Sequence, residues 1–318
     1  MVGTLVLAIL AMVARAQPVA NIPGLFLAVG SPYLVLTTFA GLVAAVSSRR
    51  WLLALIISAV LTATLAVQIS WYFLGHPPDV GAHQQIRILS ANLRYGKADA
   101  SFLVDLATDN ADVITVSELT DEEVNRLKQV GIEKPFPYSQ LIPAEGAGGI
   151  GLWSRFPIRA LSEPRHRGAV FPAARLKVPG LRFDPLLASV HVYSPVAYGG
   201  DTIAGWRGAM AVAKVQLATY TRIAGPAAVI VGGDYNSTPD MREFRDFATN
   251  GFRDAVEQSG SGFAPTFPST AWYPPLITID HVLTRNAAAS SVQTIEVPGS
   301  DHRALLGTIL VPVDPTAS

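Results

Sequence analysis

The chain begins with long apolar stretches and changes near residue 80 to short apolar runs separated by polar residues. Two stretches, at about 24–46 and 51–73, reach the roughly 20 residues that an α-helix needs to cross a bilayer. We interpret them as transmembrane helices, not as buried helices of a soluble core. Neither contains a charge, and the pair Arg49-Arg50 lies between them in a short loop. Pro32 predicts a kink in the first span, which a membrane helix tolerates.

Residues 2–14 form a third apolar stretch, which is short for a bilayer span. Two interpretations stay open: a short first helix, which we favour, or the apolar part of a signal peptide ending at Ala14-Arg15-Ala16. The missing positive charges at its start argue against a signal peptide. The sequence thus predicts a transmembrane anchor over 1–76 and a linker over 77–85.

Arg49 and Arg50 also predict the orientation of the anchor. Basic loops favour the cytoplasmic side, so the chain after His76 is expected outside the cytoplasm. Arg15, on the opposite side of the first span, counts against this orientation. The expected localisation is an integral membrane protein with an extracytoplasmic domain.

From residue 86 onward, short runs rich in Val and Ile predict strands buried on both faces. Such strands need a second sheet or a helix against each face. A polar residue follows each run, and we expect these residues to meet at one rim. The runs are Ile86–Leu89 before Asn92, Val113–Val116 before Glu118, Leu186–Val190 before His191, Ala227–Val231 before Asp234 and Asn236, and Ile277–Ile279 before Asp280.

The composition separates the two parts of the chain. Only 15% of all residues are charged, against about 25% in typical soluble proteins. Three of the 24 basic residues and none of the 24 acidic residues precede Asp79, so the rest of the chain carries a formal charge of −3. There is no cysteine, which excludes disulfides, thiolate metal sites and a cysteine nucleophile.

Each polar residue has an ordinary structural explanation. Asn92 is able to cap a turn, Glu118 to begin an acidic helix, and His191 to lie satisfied in the core. Together they are the groups expected of a hard-metal site with general acid–base chemistry. The G-x-G-x-x-G match at 146–151 precedes a strand-like run, so it does not predict a phosphate-binding loop.

The sequence resembles the endonuclease/exonuclease/phosphatase superfamily, with the DNase-I-like fold, over about 87–310. Two departures from the usual pattern are Ser117, where Gln is common, and Arg303-Ala304, where a Pro is common. The resemblance lies in seven blocks in the expected order: Ser90-Ala91-Asn92-Leu93, Asp112 to Leu119, Gly151 to Ile158, Val190-His191, Gly233-Asp234-Tyr235-Asn236, Ile279-Asp280-His281-Val282 and Ser300-Asp301-His302.

The resemblance implies an α+β fold over 86–312, a two-sheet β-sandwich flanked by helices in four layers. It implies hydrolysis of a phosphoester with Mg²⁺ or Mn²⁺. By resemblance, the metal ligands are Asn92, Glu118 and Asp301. Asp234 activates or orients the attacking water, and Asn236 fixes that geometry. His302 contacts the phosphoryl oxygens, Asp280 orients the His302 ring, and His191 assists departure of the leaving group.

The substrate class is less constrained. The charge of −3, with Arg165-His166-Arg167 as the nearest approach to a basic cluster, disfavours nucleic acid. A membrane anchor raises the effective concentration of lipid phosphates at the site. We therefore favour a lipid or lipid-linked phosphate or another extracytoplasmic phosphoester, without a choice among monoester, diester and pyrophosphate. A nuclease and a non-catalytic binding module remain alternatives, and the sequence carries no signal for oligomeric state.

Overall fold

The computed structural model describes residues 1–161, 171–196, 202–270 and 272–317. The basic cluster 165–167 lies outside the described residues. The first quarter of the chain forms four helices: α1 (Val2–Ala16), α2 (Ile22–Val29), α3 (Leu34–Ser47) and α4 (Trp51–Tyr72).

The remainder of the chain alternates strands and helices. In chain order these are β1 (His83–Asn92), α5 (Ala100–Asn110), β2 (Val113–Ser117), α6 (Asp121–Gln129), β3 (Tyr138–Ile142), β4 (Ile150–Ser154), β5 (Ile158–Ala160), β6 (Ala173–Leu176), β7 (Leu186–His191), α7 (Thr202–Ala224), β8 (Val229–Asp234), α8 (Arg242–Arg245), β9 (Arg253–Asp254), α9 (Ala255–Ser259), β10 (Asp280–Arg285), β11 (Ala288–Glu296) and β12 (Arg303–Pro312).

The strands form two mixed sheets of six strands each. The first has the order β11-β12-β1-β2-β4-β3, and the second has the order β5-β6-β7-β8-β10-β9. Each sheet contains one parallel pair near its centre, β1 with β2 and β7 with β8, and the other pairs are antiparallel. The central strands are buried on both faces, as the continuous Val and Ile runs predicted.

Three apolar layers hold the sheets and helices together. The middle layer lies between the sheets, where Ile88 and Val113 meet Leu187 and Ile230. The outer layer on the first sheet is formed by α5 and α6, and that on the second sheet mainly by α7. This arrangement confirms the predicted four-layer sandwich of two sheets flanked by helices.

Two predicted boundaries differ from the observed ones. β1 begins at His83, so the strand takes up the end of the segment predicted as a linker over 77–85. The run Ile277–Ile279 lies before a strand and not within one, because β10 begins at Asp280. In the structure Ile277 makes only an isolated bridge to Phe267.

The segment 24–46, predicted as one span, is divided into α2 and α3, which meet at 52°. Ser31–Tyr33 forms a single 3₁₀ turn between them. Pro32 has no N–H to donate to the preceding turn, so the helix does not continue through it. The kink predicted at Pro32 is therefore a full break, and the two helices take different directions.

The helices α1, α3 and α4 pack side by side. Met1 and Leu5 of α1 contact the end of α3 and the start of α4 around Ala45 and Ile57. Large apolar side chains point outward from this bundle, and Leu36 and Leu52 are more than 70% exposed. Among the described residues, α4 is the one single helix that is long and apolar enough to cross a membrane. If the bent pair α2–α3 is counted as one span, it is a second candidate.

The helix α2 leaves the bundle and packs on the sandwich. Its buried residues Leu25 and Ala28 belong to the same apolar core as Trp206 of α7. Polar contacts reinforce the docking: Arg15 Nε lies 2.8 Å from Asp240 Oδ1, and Gln68 Nε2 donates to the same oxygen at 2.8 Å. The N-terminal helices and the sandwich are thus one packed body.

Candidate active site

The polar residues that were predicted to meet do meet, at one rim of the sandwich. Asn92 and Asp234 end β1 and β8, and Glu118 follows β2 directly. Asp280 is the first residue of β10, and His302 directly precedes β12. These two strands run antiparallel to β8 and β1, so they begin at the same rim; Asp280 is the register partner of Asp234.

Asn92 connects the two carboxylates nearest the centre of the site. Its Nδ2 donates to Glu118 Oε1 and to Asp234 Oδ2, both at 3.0 Å. Its Oδ1 accepts the Arg94 N–H at 2.8 Å. The structure therefore places Asn92 as a donor that fixes the two acids. Its predicted role as a metal ligand requires the amide oxygen instead, and stays a prediction.

The local backbone aims Glu118 into the site. Its φ is +57°, a left-handed conformation that non-glycine residues adopt at a cost. The other carboxylate oxygen, Oε2, accepts the Tyr95 N–H at 2.9 Å. Both Glu118 oxygens thus have donors, while the side chain still borders the open cleft.

Asn236 orients Asp234 from the other side. The Asn236 backbone N–H donates to Asp234 Oδ1 at 2.8 Å, and its Nδ2 donates to Val192 O at 2.8 Å and to Asp234 Oδ2 at 3.2 Å. With the Asn92 amide, these donors fix the plane of the carboxylate. Asn236 therefore makes the contacts with Asp234 that its implied supporting role requires.

Asp234 is a strongly perturbed acid. It is buried, and this burial together with repulsion from Asp280 raises its pKa to about 6, although His302, His191 and the Asn236 N–H oppose the shift. A cation beside it would relieve the repulsion between the acids.

His302 and Asp280 form a buried pair. His302 Nδ1 lies 2.8 Å from Asp280 Oδ2, and His302 Nε2 lies 3.9 Å from Asp234 Oδ2. Burial of the ring works to lower the pKa of His302. The charge of Asp280, the hydrogen bond to it, and the charges of Asp234 and Asp301 outweigh burial and raise the pKa to about 10. At neutral pH the ring is a cation that aims Nε2 into the site.

His191 faces the same acids from the end of β7. Its Nδ1–H donates a hydrogen bond to the Ala147 carbonyl oxygen at 2.9 Å. Its Nε2 lies 3.9 Å from Glu118 Oε1 and 3.7 Å from Asp234 Oδ2. Ala147 belongs to the glycine-rich segment 146–151, so that segment positions a histidine.

Two groups of side chains among the described residues bring possible metal-ligand atoms within 4.8 Å of one another: Glu118, His191 and Asp234, and Asp234, Asp280 and His302. In the second group the protonated His302 ring already pairs with Asp280 through Nδ1. The first group offers two carboxylates and an imidazole nitrogen, a donor set that fits a divalent cation.

Asp301 lies apart from both groups. Its Oδ2 lies 3.6 Å from Arg94 Nε, and its side chain is partly exposed at the edge of the cleft. Its predicted role as a metal ligand stays a prediction, and in this arrangement it is paired with a basic side chain.

Sequence reasoning missed the support of the site by His281. This buried ring lies 2.7 Å from Asp254 Oδ2 and 2.9 Å from the Ser237 carbonyl, so it ties β10 to the segment that follows Asn236. The pair resembles His302–Asp280 chemically, and its place one residue from Asp280 was the only available signal.

It also missed the apolar part of the cleft. A cavity of about 660 Å³ extends from the catalytic cluster, and α2 forms part of its wall. The other described apolar and aromatic residues on it are Tyr95, Ala147, Tyr193, Pro195, Val196, Met241, Phe267, Ile277 and Ile279. Apolar side chains carry no chemical signature in a sequence, so nothing distinguished these from core residues.

Comparison with solved structures identifies the fold. An endonuclease/exonuclease/phosphatase family protein from Bacteroides thetaiotaomicron is 14% identical with a TM-score of 0.55, over 72% of this chain and 99% of that one. The 3′ phosphatase NExo from Neisseria, solved with a product DNA hairpin, is 14% identical with a TM-score of 0.56, over 70% and 98%. A humanized D. rerio TDP2 is 19% identical with a TM-score of 0.55, over 71% and 98%.

No curated protein matches the sequence. The profile of the Endonuclease/Exonuclease/phosphatase family matches residues 77–302, which is more than half of the chain. Members of this family are hydrolases that act on phosphoesters. The matched range includes every residue of the cleft that carries a carboxylate or an imidazole. With the two-sheet sandwich and its polar rim, this match shows that the chain belongs to the endonuclease/exonuclease/phosphatase family.

Proposed function

We propose that the protein is a membrane-anchored phosphoesterase that uses Mg²⁺ or Mn²⁺ to hydrolyse a lipid or lipid-linked phosphoester outside the cytoplasm. One observation carries the catalytic part: the cationic His302, held by Asp280, faces Asp234 beside Glu118. This places a fixed positive charge and fixed acids around one cleft, as phosphoryl transfer requires.

Each residue has a role that follows from its contacts. His302 donates from Nε2 to a phosphoryl oxygen, and Asp280 holds the ring in position and charged. Asp234, oriented by Asn92 and Asn236, accepts a proton from the attacking water or orients it. Glu118, with Asp234 and His191, would hold the cation, which supplies Lewis acidity when bound.

The His191 side chain has a second role in the proposal. Its Nδ1–H is committed to Ala147 O, so Nε2 is the nitrogen that faces the cleft. From this position it either supports the cation or donates to the departing oxygen. The resemblance implied the second role, and both need the same ring orientation.

The exposed apolar surface of the N-terminal helices supports the membrane anchor. A large contiguous apolar surface on a soluble protein would be an aggregation site, whereas here Leu36, Leu52 and Leu55 cover the outside of α3 and α4. The 22 residues of α4 span roughly 33 Å, which matches the apolar thickness of a bilayer.

Aromatic residues gather where this bundle meets the sandwich. Phe263 packs edge-on against Tyr72 at 5.3 Å and against Tyr33 at 6.4 Å between ring centroids. The nearby loop presents Trp272, which is 90% exposed, and Tyr273. Such residues favour the headgroup region of a bilayer, so the membrane surface is expected at this level.

The arrangement of the helix ends supports an extracytoplasmic site. Met1 packs near the loop that contains Arg49 and Arg50, and Arg15 lies at the opposite end of the bundle, against the sandwich. Asp240 neutralises Arg15 there, so Arg15 no longer counts against the orientation from the basic loop.

The test is a hydrolysis screen with the full chain in lipid nanodiscs, with Mg²⁺, Mn²⁺ or a chelator. The substrates are a phosphatidate, a lipid diphosphate, a glycerophosphodiester, and single-stranded and duplex DNA. A Glu118→Gln/His302→Ala preparation controls for contaminating phosphatases. We expect metal-dependent release of product from a lipid phosphoester. Preferential DNA cleavage would support the nuclease alternative, and no hydrolysis of any substrate with either metal would leave the binding-module alternative.

A further inference from the structure

The cleft has two chemically different ends. Glu118, His191, Asp234 and His302 form its polar end, where the phosphoester reacts. Most of the other lining residues are apolar or aromatic, among them Phe26 and Val29 from α2 and Val196 from the segment after β7, while Ser194 and Thr238 are polar. A site for a phosphate on a sugar or another polar alcohol would need a larger share of hydrogen-bonding groups in this region, because such a ligand is desolvated on binding.

The position of α2 on this wall follows from the sequence around it. Asn21 caps its start by accepting the Gly24 N–H at 2.8 Å, and the break at Gly30 turns the chain away afterwards. Leu25 and Ala28 are buried in the core of the sandwich. Neighbouring positions on the helix therefore border the cleft.

Phe26 connects the cleft with the surroundings of the protein. It borders the cavity, yet 64% of its surface is exposed. In the chain it lies between α1 and the bundle helix α3, in the apolar N-terminal region. A ligand in contact with Phe26 thus reaches from the reacting groups to the outer surface of α2.

We infer that α2 is part of the substrate site, and that the hydrocarbon chain of an amphiphilic phosphoester lies on Phe26 and Val29 while its phosphate occupies the polar end. The inference rests on the proposed function for the identity of the reacting group. One cavity is bordered by His302 and the acidic side chains at one end and by the α2 wall at the other, which favours a single ligand that carries both a phosphate and an alkyl chain.

The inference explains the break between α2 and α3. In a straight helix over 24–46, Phe26 would continue the direction of α3 in the bundle and would not lie at the cleft. The 52° bend instead lays α2 across the mouth of the active site. The segment that reads as the start of a membrane span is therefore the wall that selects the substrate.

The test measures binding, because binding does not require turnover. Non-hydrolysable alkyl phosphonates from ethyl to dodecyl are titrated into the full chain in nanodiscs with Mg²⁺, and the affinities are measured by calorimetry. We compare the wild type with Phe26→Ala, Val29→Ala and Phe39→Ala. Phe39 is a matched control, since it is an exposed phenylalanine of α3 that does not border the cavity. Partition of the phosphonate into the nanodisc lipid also grows with chain length. It is therefore measured with empty nanodiscs, and the affinities are calculated from the phosphonate that remains free in water.

In the wild type and in Phe39→Ala we expect affinity to rise with chain length, by up to about fourfold for each methylene that leaves water. In Phe26→Ala and Val29→Ala the rise should be clearly smaller. The inference is wrong if all four proteins show the same dependence on chain length, or if the wild type shows none. A wild type that binds long chains through Phe26 but hydrolyses no phosphoester would contradict the proposed function and leave the α2 site standing.

Discussion

Replacing Asp280 with Asn tests how the site keeps its histidine charged. Asp280 supplies the main attraction that raises the pKa of His302 to about 10, against burial, which lowers it. Asn keeps the shape of the side chain and removes the charge. Without that charge, burial dominates, and the pKa of His302 is expected to fall to its ordinary value of about 6.5 or below. The positive charge at Nε2 is then lost at neutral and alkaline pH.

The magnitude follows from the protonated fraction of the ring. At pH 8 a histidine with a pKa of about 10 is about 99% protonated, whereas one with a pKa of about 6.5 is about 3% protonated. The loss of protonation alone should therefore lower kcat/KM at pH 8 by about 30-fold, and by much less near pH 6. The alkaline limb of the rate profile should move from near pH 10 to near pH 6.5.

The assay is kcat/KM against pH at saturating Mg²⁺, together with an NMR titration of ¹⁵N-labelled His302. The matched control is Asp254→Asn, which removes the carboxylate from the other buried pair, at His281. We expect that variant to lose stability while its alkaline limb stays in place. If Asp280→Asn keeps the wild-type limb and the wild-type titration of His302, the reasoning is refuted.

Two further predictions follow. Glu118→Gln should weaken the dependence on Mg²⁺, because it removes charge from the expected ligand. His302→Ala should lower turnover by about 10²–10³-fold and leave the Mg²⁺ midpoint largely unchanged. Turnover against Mg²⁺ concentration measures both effects, and equal shifts of the midpoint in the two variants would contradict the division of roles. Alkaline phosphatase fused after residue 317 should be active if Arg49 and Arg50 lie in the cytoplasm, and fluorescence from a reporter that matures only in the cytoplasm would show the opposite orientation.

The hydrophobic pattern predicted the central strands well because they are buried on both faces, whereas the choice of a two-sheet sandwich came from the family resemblance. A strand such as β2 or β8 has no polar face, so its Val-rich run is visible without any tertiary information. The polar residues that end these strands were visible for the same reason. Helix boundaries and the strand β10 were less clear from local pattern.

The prediction for β10 shows why one rule was not enough. Polar residues after parallel strands gather at one rim, and this rule placed Asn92, Glu118 and Asp234 correctly. An antiparallel strand reaches that rim with its first residue. Asp280 therefore begins its strand, and the apolar run before it, Ile277–Ile279, is a loop. Strand direction is a property of the sheet and cannot be read from a short run.

The role of α2 could not be predicted from its own residues. Its apolar composition fits a membrane span and a docked helix equally well, and the choice depends on partners such as Trp206 that lie far along the chain. The break at Pro32 was the one local signal, and it predicted a kink without a direction.

The contact between Arg15 and Asp240 has a consequence for the order of synthesis. The two residues are 225 positions apart, so α1 and α2 leave the ribosome long before the segment that holds them. Contacts over such a distance close late in folding, since the intervening chain has to be ordered first. The contact that docks α1 and α2 at the cleft therefore forms only after the chain has been synthesised to residue 240. In a chain that stalls before residue 240, Arg15 lacks its partner Asp240, and α2 lacks the completed sandwich on which it packs.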